Sequence, residues 1–521
     1  MTRLIGIDFG TTNSCIAFMD GESVTVVPQA DGGAVLPSIV ARSEQGEWLV
    51  GNPAKRQAMM NPLRTIYGIK RLIGRKAKSD AIARLRDVVP FEIVPGANGD
   101  ASVRIDDQIS SPQEIAARIL EEIKAAAKEY TGEAITEAVI TVPASFNDIQ
   151  RQAVKDAMAI AGMEVRRIIN EPTAAALAYG VHQVDDEKIL AVFDLGGGTF
   201  DVTILRHEAG VFEVLATSGD TLLGGDDFDQ VLIQHLIDTF KAEHGIDLSD
   251  DPAALQRLKT AAETAKLELS SALSTRIALP FICKGPDGPL HLEYASLKRS
   301  FFEDLTAHLL ERLTGPCLDA LQQAEVSREE IDEVILVGGM TRMPAVRAKA
   351  SDIFGREPLA DVDPDEIVAM GAAVQSALLE GGVREMLLLD VTPAALGIRT
   401  IEGWMSVIVP RNAKVPTSAR KQFSTTVDGQ EFVIIEVYQG QGERAEQNTH
   451  LGSFVLEGLP RRPAGEVVVE VDFRVNADGM LVVTAAEATT GQNVTVNMRS
   501  RWGLTEQQVR DLAEIHREAQ G

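Results

Sequence analysis

The chain has 521 residues, 45% hydrophobic and 24% charged, which is enough for roughly three or four domains with filled cores. Its formal net charge of −26 at pH 7 argues against a broad basic surface for nucleic acid or an anionic membrane. A phosphate ligand remains compatible with this charge, because backbone N–H groups, one or two lysines and a divalent cation can hold it. Cys15, Cys283 and Cys317 are far apart and form no CxxC pair, which argues against a disulfide framework and a structural zinc site.

The beginning of the chain, MTRLIGIDFG, leads directly into a predicted strand, without the basic and apolar segments of a secretion signal. No run approaches the ~18 apolar residues that a membrane-spanning helix needs. We therefore expect a cytoplasmic protein that binds neither membrane nor nucleic acid.

Strands and helices alternate over residues 1–380. The predicted strands have the sequences LIGIDFG, CIAFMD, EAVITVP, ILAVFDLG, DVTILRH and EVILVGG. Helices are predicted from Ser111 to Gly132, from Asp251 over PAALQRLKTAAETAKLELSSAL, and from Asp363 to Gly381, because Ser-Pro, Asp-Pro and Gly are typical helix boundaries. This alternation predicts an α/β fold.

The pattern changes after Gly382. The short apolar segment MLLLDVTP is followed by residues 393–500, in which apolar and polar positions alternate between turn sequences such as VDGQ and NADG. We predict an antiparallel β domain there. The last segment, LTEQQVRDLAEIHREAQG, predicts one helix capped by Thr505.

Two segments of the α/β part repeat one pattern. IGIDFGTTNSCIAF at residues 5–18 and VFDLGGGTFDVTIL at residues 192–205 each combine an apolar strand, an Asp, a Gly/Thr turn and a second apolar run. Asp8 and Asp194 come near the carboxyl ends of their strands, where ligands of open α/β folds bind. The glycines allow a phosphate close to the backbone, so the pair predicts a triphosphate and Mg²⁺ held between two lobes. The alternative for either copy alone is a buried strand ending in an ordinary turn.

Together with these turns, several long motifs identify a family. The order of the two turns, the connecting helices RIINEPTAAALAYG and DPDEIVAMGAAVQSA, and the turn EVILVGGMTRMPAVR resembles the actin/hexokinase/heat-shock ATPase superfamily, and NPLRTIYGIKRLIGR, AVITVPASFNDIQRQAVKDA, LGGDDFD and MLLLDVTP resemble one family within it. Within it, the chain resembles DnaK-type heat-shock-70 chaperones over roughly residues 3–510. The resemblance implies a two-lobed ATPase domain of duplicated ribonuclease-H-like units at 1–383, a linker at 384–392, a peptide-binding β-sandwich at 393–503 and a shortened lid helix at 504–521.

The resemblance also implies an ATP/ADP site with Mg²⁺. Asp8, Glu171 and Asp194 would hold the metal, mostly through water, and the catalytic residues would be Lys70, Glu171, Thr199 and Asp201. The nucleotide contacts would come from Asp8, Gly10, Thr11, Thr12, Asn13, Asp194, Gly196, Gly197, Gly198, Thr199, Gly224, Gly225, Glu263, Lys266, Ser270, Gly338, Gly339, Arg342 and Asp365. Leu267 departs from relatives that place an Arg over the adenine, so weaker adenine binding is expected.

In the β domain the resemblance implies a site for extended apolar segments of unfolded proteins. Its residues would be Ile398, Phe423, Val433 and Ile435, with Ile401 and Thr426 arching over the peptide. The alternative for each is a place in the sandwich core. Arg167, Asn170, Thr173 and Asp390 match positions that meet the J-domain of a DnaJ-type co-chaperone, and Leu387, Leu388 and Leu389 match the linker that docks in one nucleotide state. The long loop STRIALPFICKGPDGPLHLEYASLKR implies a GrpE-type exchange factor.

Other functions remain open at this point. A small-molecule kinase and an actin-like filament protein share the superfamily fold, but neither needs MLLLDVTP or a β-sandwich. The chain ends within the first lid helix, so a specialised lidless peptide-binding regulator with weak residual ATPase is the main alternative to a chaperone.

Overall fold

The computed structural model describes residues 3–21, 23–30, 32–86, 88–180, 187–286, 288–359, 363–381, 386–497 and 503–520. The predicted border between the ATPase domain and the linker, at residues 383 and 384, lies outside these ranges, and the domain limits stay a prediction. No helix in the described part of the chain is long and apolar enough to span a bilayer.

The first lobe is formed by residues up to 180 around a sheet with the order β12-β11-β1-β2-β3, in which β4 also pairs with β2. Its strands are β1 Ile5–Phe9, β2 Asn13–Asp20, β3 Ser23–Val26, β4 Val35–Pro37, β5 Ile39–Arg42, β6 Trp48–Val50, β7 Thr65–Tyr67, β8 Glu92–Pro95, β9 Ala101–Ile105, β10 Gln108–Ser110, β11 Glu137–Val142 and β12 Glu164–Asn170. Its helices are α1 Asn52–Gln57, α2 Asp80–Arg86, α3 Pro112–Thr131, α4 Asp148–Ile160 and α5 Glu171–Gly180.

The second lobe has a sheet with the order β18-β13-β14-β15-β19-β22, in which β22, Lys414–Val415, comes from the C-terminal part. Its strands up to the linker are β13 Lys188–Leu195, β14 Phe200–Glu208, β15 Val211–Asp220, β16 Ser274–Gly285, β17 Gly288–Lys298, β18 Glu333–Val337 and β19 Leu387–Val391. Its helices are α6 Gly225–His244, α7 Pro252–Ser271, α8 Arg299–Leu305, α9 Ala307–Arg312, α10 Thr314–Ala324, α11 Pro344–Phe354 and α12 Ile367–Glu380.

The two quoted segments occupy equivalent places in the two sheets. In the first lobe β1 pairs antiparallel with β2, placing Asp8 opposite Cys15, and parallel with β11. In the second lobe β13 pairs antiparallel with β14, placing Asp194 opposite Asp201, and parallel with β18. The duplicated sequence pattern is therefore a duplicated strand arrangement, which confirms the predicted α/β class and its two related lobes.

Helix boundaries follow the predicted signals with one exception. Ser111 caps α3 through a capping box with Glu114, and Gly132 ends it in the left-handed conformation at φ 70°. The helix predicted to start at Asp363 begins only at Ile367. The prediction was wrong because the Asp363 carboxylate accepts a hydrogen bond from the Asp365 backbone N–H at 2.9 Å, which holds this segment in a turn.

Small residues bring α12 against both α5 and the first sheet. A Cβ on Gly371 would lie 1.7 Å from the backbone oxygen of Ala174 in α5, and one on Gly6 would lie 2.2 Å from the nitrogen of Ala373. The crossing of α12 with α5 is therefore close, and only small residues fit at the contact. It joins the lobes behind the cleft.

The C-terminal part contains two four-stranded antiparallel sheets, β21-β20-β24-β25 and β23-β26-β27-β28. Its elements are β20 Ala395–Arg399, β21 Met405–Val409, β22 Lys414–Val415, β23 Thr417–Ser424, β24 Phe432–Gly440, β25 Thr449–Glu457, β26 Val468–Val475, β27 Leu481–Glu487, β28 Asn493–Asn497 and α13 Glu506–Gln520. The sheets enclose one apolar core that includes Phe454 and Phe473. This arrangement is the predicted β-sandwich with a C-terminal helix.

The β domain and α13 both rest on the lobes. Strand β19 pairs with β15 of the second lobe, and β22 pairs with β19. Asp478 of the β domain accepts a hydrogen bond from the Ile168 backbone N–H at 3.1 Å in the first lobe. Helix α13 buries Val509 in the first-lobe core, and His516 Nδ1 lies 2.7 Å from Glu121 Oε1.

Candidate functional site

A cleft of about 350 Å³ lies between the two lobes. Most of the residues predicted to contact nucleotide or to catalyse hydrolysis line it: Asp8, Gly10, Thr11, Thr12, Asn13, Lys70, Glu171, Asp194, Gly196, Gly197, Thr199, Gly225, Glu263, Lys266, Ser270, Gly338, Gly339, Arg342 and Asp365. They come from the strands and turns of both sheets, from the 3₁₀ turn that carries Lys70, from α5, α6 and α7, and from the turn before α12. Gly198, Gly224 and Asp201 are not among the lining residues.

The two glycine turns touch each other across the cleft. A Cβ on Gly197 would lie 1.9 Å from Thr12 Oγ1, so the second turn packs directly against the first. A Cβ on Gly224 would lie 2.4 Å from the Gly198 nitrogen. Gly198 and Gly224 thus form a layer behind the cleft surface, where only a residue without a side chain fits.

Lys70 is held at the centre of the site by first-lobe groups. It lies in a short 3₁₀ turn, Ile69–Arg71, and its side chain is only 3% exposed. Its Nζ donates to Glu171 Oε1 at 2.5 Å and to the backbone oxygen of Phe9. A buried ammonium with two fixed acceptors is oriented before any ligand arrives.

Buried carboxylates outnumber this cation. Burial, reinforced by the charge of Glu171, raises the pKa of Asp8 to about 7 and also raises the pKa of Asp194. Burial and Glu171 likewise raise the pKa of Asp201 to about 7, although its Oδ1 accepts from the Ser145 backbone N–H at 3.0 Å. A site that concentrates this much negative charge beside phosphate turns suits a divalent cation.

The structure brings Asp8, Glu171 and Asp194 to the same cleft without building a direct metal cage. Among the described residues, no group of three or more His, Cys, Asp or Glu side chains has metal-ligand geometry. The donor chemistry fits Mg²⁺, which keeps several waters and uses few carboxylates. The metal assignment therefore stays a prediction.

The far end of the cleft carries the predicted nucleoside contacts. Lys266 Nζ donates to Asp229 at 2.8 Å and to the Gly225 oxygen at 2.9 Å, while Ser270 Oγ donates to the Lys266 oxygen at 3.2 Å. Arg342 pairs with Asp365 at 2.8 Å. These contacts fix the side chains around an open pocket whose rim includes the exposed Leu267.

Several residues that cross between the lobes were not predicted. Lys55 pairs with Glu263 at 2.9 Å, Arg71 pairs with Asp227 at 2.7 Å, and Lys259 Nζ lies 4.7 Å from the Tyr67 ring centre. Arg71 stands next to Lys70 in the quoted motif GIKRLIGR, but nothing in that motif indicates which lobe its side chain reaches. Each of these contacts joins residues far apart in the chain, and they form only because the fold brings the two lobes together.

The predicted peptide site is divided between core and surface. Ile398 and Ile435 are buried in the sandwich core, at 6% and 2% exposure, and Phe423 and Val433 pack against that core. Ile401 is 77% exposed and lies in a shallow groove with Trp404 and Val407. Thr426 is exposed on a separate loop.

Three of the predicted linker and co-chaperone residues form one polar cluster. Asn170 Nδ2 donates to Asp390 Oδ2 at 2.7 Å, and Thr173 Oγ1 donates to the same oxygen at 3.3 Å. Arg167 lies on β12, three residues before Asn170, and in the described part of the structure it makes no hydrogen bond to this cluster. Leu387, Leu388 and Leu389 pair with Val211, Phe212 and Glu213 at the edge of the second sheet.

A ligand-sized cleft between duplicated lobes, closed by two glycine turns around a buried lysine, defines an actin-like ATPase domain, here followed by a β-sandwich and a helix. Comparison with protein families agrees with this architecture: the profile described as Hsp70 protein matches residues 4–520. The chain belongs to the Hsp70 family. Members of this family are ATP-dependent chaperones that bind ATP or ADP with Mg²⁺ and work with unfolded peptides, J-domain proteins and nucleotide exchange factors.

Proposed function

We propose that this chain is a DnaK-type chaperone that hydrolyses ATP and couples its nucleotide state to the binding and release of extended apolar segments. The observation that carries the proposal is the cleft itself, where Lys70 and Glu171 meet at 2.5 Å between the two glycine turns. We further propose a cytoplasmic location.

In this mechanism the turns at Gly10–Asn13 and Gly196–Thr199 hold the phosphates through backbone N–H groups and hydroxyls. Lys70 stabilises the negative charge that spreads over the transferred phosphoryl group, and Glu171 orients the lysine and the attacking water. Asp8, Asp194 and Glu171 would hold a Mg²⁺ largely through water, and the ion would neutralise phosphate charge. Little covalent chemistry is required of the protein beyond positioning these groups.

Coupling is proposed to run through β19. This strand is paired with β15, and its Asp390 is held by Asn170 and Thr173, residues at the first-lobe edge. A J-domain that contacts Arg167, Asn170 or Thr173 would therefore compete with or reshape the contacts of Asp390. The groove beside Ile401 is the proposed peptide entrance, and the β16–β17 hairpin the proposed contact for a GrpE-type exchange factor.

The test begins with calorimetry of the purified chain with ATP and Mg²⁺, followed by single-turnover hydrolysis with and without an apolar peptide and a J-domain. We expect heat on binding and a hydrolysis rate that both additions increase. Lys70→Ala should bind nucleotide but hydrolyse it roughly 10²–10³-fold more slowly, as when one oxyanion-stabilising donor is lost.

Three results would contradict the proposal. If calorimetry registers no heat when ATP and Mg²⁺ are added, the chain does not bind nucleotide in the cleft. Hydrolysis that ignores both peptide and J-domain would favour a peptide-binding regulator with residual ATPase. Phosphorylation of a sugar, or light scattering that reports filaments with ATP, would favour another branch of the superfamily.

A further inference from the structure

Arg71 is a second basic residue beside Lys70, but it faces the opposite lobe. Both belong to the 3₁₀ turn Ile69–Arg71. Lys70 bonds to first-lobe groups, whereas Arg71 Nη2 donates to Asp227 Oδ2 at 2.7 Å and to the Gly198 oxygen at 3.3 Å in the second lobe. The Arg71 side chain is 12% exposed, so this contact is largely shielded from water.

The groups that Arg71 contacts form the back of the second phosphate turn. A Cβ on Gly198 would lie 2.9 Å from Arg71 Nε and 2.9 Å from Thr11 Oγ1, so the turn is packed between the guanidinium and the first turn. This packing leaves the second turn little room to move while Arg71 is in place.

Helix α6 joins the same unit. Asp227 Oδ2 accepts from the Gly224 backbone N–H at 2.8 Å, and the first N–H groups of the helix donate to the oxygens of Gly196 and Gly197 at 2.9 and 2.8 Å. Arg71 therefore contacts both the turn and the helix that supports it. Its carboxylate partner and its carbonyl partner are therefore hydrogen-bonded into one unit.

We infer that Arg71 is a positioning residue for hydrolysis, which fixes the second phosphate turn at a set distance from Lys70. The two side chains leave the same turn towards opposite lobes. Because Lys70 and Arg71 are adjacent in the chain, the contact of Arg71 with Gly198 fixes the position of the second turn relative to Lys70. The inference rests on the proposed ATPase function. It assigns to Arg71 an effect on the hydrolysis step that exceeds any effect on nucleotide affinity.

The test compares Arg71→Ala, Arg71→Lys and Asp227→Asn with the unaltered chain. We measure the single-turnover hydrolysis rate and the dissociation constant for ADP with Mg²⁺. Misplacement of a reacting group by about 1 Å can cost on the order of 10²-fold in rate, so Arg71→Ala should slow hydrolysis roughly 10- to 100-fold and change ADP affinity less than about 3-fold. Arg71→Lys keeps the charge but cannot bridge two acceptors, so its hydrolysis rate should lie between those of Arg71→Ala and the unaltered chain.

Asp227→Asn keeps the acceptor for Gly224 N–H while weakening the ion pair, so it should slow hydrolysis in the same direction. Because both variants act on one contact, the double variant Arg71→Ala/Asp227→Asn should be no slower than the slower single variant. Lys349→Ala, which removes the ion pair of Lys349 with Glu311 at 2.8 Å in the second lobe, away from the cleft, is the control and should change neither quantity.

Two outcomes overturn the inference. One is a hydrolysis rate for Arg71→Ala within about 3-fold of the unaltered chain. The other is an equal loss of rate and affinity, which would mean that Arg71 strengthens nucleotide binding uniformly. If Arg71→Ala does not fold, Arg71→Lys and Asp227→Asn decide by the same criteria, and if the unaltered chain neither binds nor hydrolyses ATP, the proposed function fails first.

Discussion

Single residues in the cleft show how charge and function are related. Asp8, Asp194 and Asp201 are buried near Glu171, and burial raises the pKa of each carboxyl group. Lys70 is the cation that the structure places directly on Glu171. Such a surplus of buried carboxylates destabilises a protein unless a cation or a proton compensates it, and clusters of this kind are typical of functional sites.

Leu267 offers a residue-scale test of adenine binding. It is 58% exposed and lines the cleft beside Lys266. Leu267→Arg would place a flat guanidinium where it can stack on the base, and contacts of this kind contribute about 0.5–1 kcal/mol at exposed sites. We expect roughly 2- to 5-fold tighter ADP binding, measured by calorimetry.

Leu267→Lys serves as the control, because it adds the same charge without the flat face. It should gain clearly less than the Arg variant. Equal gains in the two variants, or weaker binding by Leu267→Arg, would show that the base does not lie against this position.

At the scale of elements, local signals predicted most of the fold. The Ser111–Glu114 capping box and Gly132 set both ends of α3, and the alternating pattern located all six quoted strands. The start of α12 was missed because Asp363 and Asp365 are also held by Arg342, at 2.7 and 2.8 Å, and that contact spans more than 20 residues of chain. Local signals cannot include a partner that only the tertiary fold provides.

The crossing of α12 and α5 leads to an element-scale prediction. Gly371→Ala would place a Cβ 1.7 Å from the Ala174 oxygen, so backbone must shift. We expect the free energy of unfolding to fall by about 1–3 kcal/mol, the usual cost of overpacking, measured by urea denaturation of the ATPase lobes within the full chain.

Gly315→Ala is the matched control, since Gly315 lies in the first turn of α10 and a Cβ there meets nothing within 4 Å. This change should be neutral or stabilise by up to ~1 kcal/mol, because alanine loses less backbone entropy than glycine. If Gly371→Ala behaved like Gly315→Ala, the helices would not be in the close contact described.

At the scale of the whole molecule, the sequence predicted the parts but not their contacts. Arg411 of the β domain donates to the Thr217 oxygen at 2.7 Å and pairs with Asp319 at 2.8 Å in the second lobe. Neither Arg411 nor Asp478 belongs to a periodic pattern or a cap, so nothing local distinguished them from solvated charges. The docking role of the three adjacent linker leucines, implied by the family resemblance, stays a prediction: they pair with the edge strand β15, and Leu387 is 53% exposed.

Asp148 provides a test of how the β domain docks on the first lobe. It is buried, its Oδ1 accepts from the Leu481 backbone N–H at 2.6 Å, and Arg151 and Lys155 lie near it. Burial raises its pKa from the ordinary value of 3.8 to about 6, despite that hydrogen bond and both cations.

The docked form therefore holds a proton between about pH 4 and 6 that the undocked form releases. Docking should strengthen as pH falls from above 6 towards 4, and the cost of burying the ionised carboxylate should be fully present at pH 7.5. Asp148→Asn keeps an acceptor oxygen but carries no charge, so it should tighten docking at pH 7.5, and this advantage should shrink to about half by pH 5 and disappear only near pH 4. The backbone N–H groups of Leu387–Val391 report docking through their hydrogen exchange, and the ratio of variant to unaltered rates at each pH cancels the intrinsic exchange rate. A ratio that stays constant from pH 5 to 7.5 would mean that ionisation of Asp148 does not oppose docking.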